Sequence, residues 1–88
     1  MHTDEYEISI GREISLCRKI IVRQEKALLT REKKFGMTTE AFLQTLEQDL
    51  QAERNPDFEL WLKDHEELKI WKQRLKEYEQ ALEILKRI

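Results

Sequence analysis

The chain is predicted to be all-α, an elongated helical hairpin with a coiled-coil-like three-helix arrangement. Three observations carry this. Apolar residues recur at mostly three- and four-residue steps over two long stretches, the period of a helix with one apolar stripe. Only two Gly and one Pro occur in 88 residues, so few turns can be built. β-branched residues are scarce after Val22, which weakens the strand alternative. A chain this short allows one domain and a modest core.

Residues 1–11 read two ways. Tyr6, Ile8 and Ile10 alternate with polar residues, as in a short strand that Gly11 would end. The same stretch also reads as a frayed helical extension. A lone strand is marginal without a partner, so the first reading needs a second chain to supply one.

From residue 12 to 35 the pattern is helical. Ile14, Ile21, Leu28 and Phe35 fall every seven residues, and Ile10, Cys17, Gln24 and Arg31 take the other seam position. The spacing gives a rod of roughly 36 Å. Its outer face holds Arg18, Lys19, Arg23, Lys26, Lys33 and Lys34.

A joint follows. Lys33 and Lys34 suit the negative end of the helix dipole. Gly36 can take the left-handed conformation that stops a helix. Thr38 can cap the next helix, with Met37 and Phe42 spaced as a hydrophobic staple. The second helix is expected over 39–53, with Phe42, Leu43, Leu46 and Leu50 on one face and Glu40, Glu47, Asp49 and Glu53 elsewhere.

Asn55 is a good cap and Pro56 suits a first helical position, so the third helix is expected over 56–88. Trp61, Leu68, Leu75 and Leu82 form one seam row, and Phe58, Trp71, Tyr78 and Leu85 the other; Asp64 interrupts it. Such a helix is about 50 Å long. A first helix beginning at residue 12 is too short to cover it, so its stripe calls for another chain, and a dimer or higher homo-oligomer is expected.

Charged residues are 39% of the chain and the net charge is −2, but the charges are blocked out. Residues 18–34 carry seven basic and two acidic side chains; residues 35–67 carry two basic and nine acidic; residues 68–88 are net basic again. Such blocks predict charged partners, charge-matched self-association or solvated helix faces. The basic face of the first helix is a candidate for phosphate contact, although it lacks exposed aromatics between its cations. The acidic middle is a candidate for a basic protein surface, such as a nuclease site that binds RNA.

No catalytic constellation emerges. His65 among Glu59, Asp64, Glu66 and Glu67 has no second His four residues away, so neither a metal nor an acid–base site is expected, and no cofactor. Ser9, Ser15 and Cys17 lack a His–acid pairing in sequence. Cys17 is the only cysteine, which excludes an internal disulfide and fits a reducing compartment. No apolar run approaches the roughly 20 residues that span a bilayer, no signal-peptide pattern opens the chain, and a cytoplasmic location is expected. Trp61 and Trp71 lie in the stripe, where large aromatics serve as core or as interface anchors; an interface role is expected for at least one.

The run from Arg31 to Phe42, Arg-Glu-Lys-Lys-Phe-Gly-Met-Thr-Thr-Glu-Ala-Phe, resembles the helix–turn–helix centre of a group of small helical prokaryotic proteins. In these a charged helix ends in an aromatic-Gly-Met, and a Thr or Ser starts a helix carrying an acidic residue and then Phe. Asn55 to Trp61, opening a Trp-rich helix, is also similar to that group. The resemblance covers about residues 25–75. Many of these proteins are similar to antitoxin components encoded beside a small, often RNA-cleaving toxin. The resemblance implies a non-enzymatic protein that binds and neutralises a cognate toxin. The expected partner interface comprises Phe58, Trp61, Leu68, Trp71, Leu75, Tyr78, Glu47 and Asp49. The alternative is a structural coiled-coil or scaffold protein with no inhibitory role.

Overall fold

The computed structural model describes residues 3–48 and 55–87. Three helices follow in order: α1 (Thr3–Phe35), α2 (Thr39–Gln48) and α3 (Pro56–Arg87). Helices α1 and α3 pack against each other as a long antiparallel hairpin, 57 × 21 × 17 Å, and α2 packs near its closed end.

The amino-terminal stretch settles as helix. α1 runs through Tyr6, Ile8, Ile10 and Gly11, and no strand forms among the described residues. Gly11 keeps ordinary helical dihedrals; Gly36 is the glycine with positive φ. The apolar alternation that suggested a strand is overruled by packing: Ile14 and Cys17 are buried and their helix continues backwards from them. One consequence is large. α1 has 33 residues and α3 has 32, so both rods are about 50 Å and the carboxy-terminal end of α3 has a partner within the chain. Gly11, Ile14 and Arg18 of α1 face Glu79, Leu82, Glu83 and Lys86 of α3 there. The length mismatch that called for a second chain is absent.

The charge blocks also match in this pairing. The acidic first half of α1 lies along the basic second half of α3, and the basic residues 18–34 lie along the acidic start of α3. Arg18–Glu79, Arg31–Asp64 and Lys34–Asp57 are ion pairs between the two rods. The seam polar residues pair as well. Arg31 Nε donates to Asp64 Oδ2 at 3.2 Å, and Gln24 Nε2 donates to Glu67 Oε2 at 2.9 Å. Asp64, which breaks the apolar run of α3, therefore stands opposite the break in α1. A register shift would strand these part-buried groups, which specifies alignment more than it adds stability.

The joint forms as its residues dictate. Gly36 has φ 66° and the Met37 N–H donates to the Glu32 carbonyl at 3.2 Å, a left-handed helix stop. Thr38 Oγ1 accepts from the Ala41 N–H at 3.1 Å and caps α2. Met37 and Phe42 both pack into the core cluster, as the staple predicts. At the start of α3, Asn55 Oδ1 accepts from the Asp57 N–H at 2.9 Å. The second helix is described to Gln48; the expected continuation to residue 53, with Asp49 and Leu50, lies outside the described residues.

Candidate protein-interaction surface

The core is densest beside the joint. Phe42 stacks on the indole of Trp61, with ring centroids 4.1 Å apart and planes within 3°. Phe35 stacks on the same indole at 5.6 Å, and Phe58 meets Phe35 and Phe42 edge-on, each at 5.2 Å. Trp61 and Phe42 are fully buried. The indole N–H of Trp61 donates to Thr39 Oγ1 at 3.1 Å. The Thr39 hydroxyl donates to Glu32 Oε2 at 2.8 Å, and the Thr39 N–H donates to the same oxygen at 2.7 Å. One carboxylate of α1 thus caps α2 and, through one hydroxyl, fixes the indole of α3. Leaving a buried indole N–H unpaired would cost about 1–3 kcal/mol, so this relay ties all three helices to one geometry. Spacing did not reveal Glu32 in this role. The only signal was an acidic residue one turn before a helix stop.

The expected interface residues therefore separate into groups. Trp61 and Leu68 are buried inside the chain, and Phe58 is half-buried against them. Leu75 is half-buried in the seam. Trp71 and Tyr78 are also half-buried, but toward one side of the hairpin. That side is located by the pairs Gln24–Glu67 and Arg31–Asp64. One turn from these residues stand Ile20 and Ala27 of α1 and Trp71 of α3, with Tyr78 a further two turns along. Leu16 continues the row and is about half exposed. The Arg74 guanidinium lies 4.8 Å from the Trp71 ring centroid, so this apolar flank carries a cation between Trp71 and Tyr78.

The opposite flank carries α2. Glu47 is exposed there, in a shallow groove shared with Leu43, Leu46, Leu62, His65, Glu66 and Lys69. Glu47 and Trp71 are thus on different sides of the hairpin. Asp49 lies outside the described residues.

Two titrating groups are shifted by their surroundings. Burial, reinforced by Glu13 and opposed by Arg74, pushes the Cys17 thiol above its ordinary range, which makes it a poor nucleophile. Burial, with help from Lys69 and Lys72 and against Glu66, holds His65 below the usual imidazole range. Among the described residues no group of three or more His, Cys, Asp or Glu is placed to hold a metal ion. No described helix is long and apolar enough to cross a membrane.

No protein-family model, curated protein or solved structure matches this chain. What the geometry offers is two flanks of one hairpin, one dressed by a short helix and one left with Leu16, Ile20, Trp71 and Tyr78 partly open.

Proposed function

We propose that this protein is a non-enzymatic interaction module that binds and neutralises a small toxin protein in the cytoplasm, the antitoxin of a prokaryotic pair. The observation that carries the reading is the half-open flank of Leu16, Ile20, Trp71 and Tyr78. It combines two large aromatics with an arginine, the residue types that anchor protein interfaces. The joint from Arg31 to Phe42 is the run on which the resemblance rests, and its residues act architecturally: Glu32, Phe35, Gly36, Met37, Thr39 and Phe42 hold α2 onto the hairpin. The toxin-contacting residues are then those outside the motif. Trp61 and Leu68 support the surface from within, while Trp71 and Tyr78 touch the partner.

The test is co-expression with the protein encoded by the adjacent gene. The intact chain should restore growth and co-purify with that protein. A Trp71→Ala/Tyr78→Ala variant with unchanged helicity should lose both. Full rescue by that variant, or a neighbour that is harmless when expressed alone, would overturn the reading.

A second reading is a structural coiled-coil protein in which the same flank meets another copy. Its support is the hairpin face itself, roughly 57 by 21 Å, large enough for the about 800 Å² per partner of a standard interface. A chain that self-associates through Trp71 and captures no neighbour-encoded protein would favour it.

A further inference from the structure

The outward face of α1, directly opposite the face packed on α3, carries Arg12, Lys19, Arg23, Lys26 and Lys33. All five are exposed, and none has an ion-pair partner among the described residues. At 100° per residue they fall within about a quarter of the helix circumference. From Arg12 to Lys33 that sector contains no Asp or Glu; Glu13, Glu25 and Glu32 all project to the sides or toward the hairpin partner. The stripe is about 30 Å long on a continuous helix. Five other cations are paired, Arg18 with Glu79, Arg31 with Asp64, Lys34 with Asp57, Lys63 with Glu67 and Arg87 with Glu83, while Lys69, Lys72, Arg74, Lys76 and Lys86 are spread along α3 without an ion pair among the described residues. What sets the ridge apart, in a chain of net charge −2, is alignment: five cations share one face of one helix with no acidic residue among them.

We infer that this ridge binds a nucleic-acid phosphate backbone without reading sequence. Three properties point to that ligand. The cations are spread along a straight line, whereas a compact anion would need them converged on a point. Duplex nucleic acid offers roughly one charge per 1.7 Å of axis, so a 30 Å ridge meets several phosphates wherever it lands. The ridge carries no Asn or Gln and no aromatic between its cations, which leaves no side chains for bidentate reading of adenine or for base stacking. An anionic lipid surface fits less well, because the apolar stripe that would enter the bilayer is packed against α3. This inference does not rest on the proposed toxin-binding flank, which adjoins the ridge at Leu16 but contributes none of its cations.

The experiment is fluorescence anisotropy with the full chain and three labelled probes: a 20-base-pair DNA duplex of arbitrary sequence, an RNA duplex of equal length and a single-stranded RNA. Anionic vesicles serve as a fourth arm. Binding to at least one nucleic acid is expected, with little difference between two unrelated sequences. Raising salt from 50 to 200 mM should weaken it by about a hundredfold if four phosphates are contacted. Lys19→Glu/Arg23→Glu/Lys26→Glu should abolish binding. Lys63→Glu/Lys86→Glu/Arg87→Glu makes the same change in net charge away from the ridge and should retain most of it. Circular dichroism verifies that both variants remain helical. Should the first variant unfold, Lys19→Gln/Lys26→Gln takes its place and should weaken binding at least tenfold. Absence of binding to all three nucleic acids at low salt, equal loss in both charge-reversal variants, or binding to vesicles alone would overturn the inference.

Discussion

The two ends of the hairpin are built to different standards. At the closed end, four aromatic rings interlock, α2 adds Phe42 and Leu46, and the Glu32–Thr39–Trp61 relay satisfies the buried polar atoms. At the open end, Ile14 and Cys17 are buried, but Ile8 and Ile84 are more than half exposed, and the Arg18–Glu79 ion pair is in solvent. The contrast teaches that α1 and α3 are of nearly equal length but not of equal grip. Stability is concentrated where a third helix contributes, and the far end is held by a thin two-helix seam. Local opening is therefore expected to start at the open end.

The largest effect that can break this comparison is truncation of Trp61. Trp61→Ala removes a fully buried indole, leaves Thr39 without a donor, and unseats both stacked phenyl rings. A loss of about 3–5 kcal/mol is expected in urea unfolding, a large part of the stability of so small a domain. Leu82→Ala at the open end should cost less than about 1.5 kcal/mol, since Leu82 is half-buried there. Equal losses at the two sites would refute the asymmetry.

Next in size is Glu32→Ala. It deletes the acceptor of both Thr39 hydrogen bonds and should cost about 1–2 kcal/mol. The matching change at the open end, Arg18→Ala, removes an exposed pair and should cost no more than about 0.5 kcal/mol. Hydrogen exchange on α2 should rise in Glu32→Ala and stay unchanged in Arg18→Ala.

The closed end was also the end most legible in sequence. Gly36, Thr38, the Met37/Phe42 staple and Asn55-Pro56 are local signals whose chemistry acts within a few residues, and each formed as read. The open end stayed ambiguous between strand and helix for the same reason in reverse. Gly11 and the Tyr6-Ile8-Ile10 alternation gave a local signal for a strand ending, while the helix is set by Ile14 and Cys17 packing on a rod some 60 residues away in sequence. That one boundary decided whether α3 needed a second chain to cover it. The sorting of stripe residues was illegible too. Periodicity places Trp61 and Trp71 on one broad stripe, but only the position of α2 seals the first indole and leaves the second half open.

Gly11 offers a smaller effect of opposite sign. A β-carbon there meets nothing within 4 Å, and the residue has ordinary helical dihedrals. Gly11→Ala should stabilise the protein by about 0.5–1 kcal/mol through helix propensity alone. The gain should be visible as slower hydrogen exchange in the first turns of α1 with little change around α2. A destabilised Gly11→Ala would mean that the open end is not the exposed two-helix seam described above.

The smallest effect separates the two ends by pH. The folded protein holds His65 below its unfolded pKa, chiefly by burial and then through Lys69 and Lys72, with Glu66 opposing. Glu25, Glu32, Glu40 and Glu47 line the adjoining grooves. A depressed imidazole pKa means the unfolded chain takes up the proton first, so stability is unaffected above about pH 6.5 and falls as pH drops below that unfolded value toward the folded one. His65→Gln keeps a neutral polar side chain and should flatten this part of the stability–pH curve between about pH 7 and 5, leaving only the carboxylate contribution at lower pH. The fall should be accompanied by faster exchange in α2, because α2 lies over His65, and not in the open-end turns around Ile14. If the open end loosens first on mild acidification, with α2 still protected, then His65 does not control the attachment of α2.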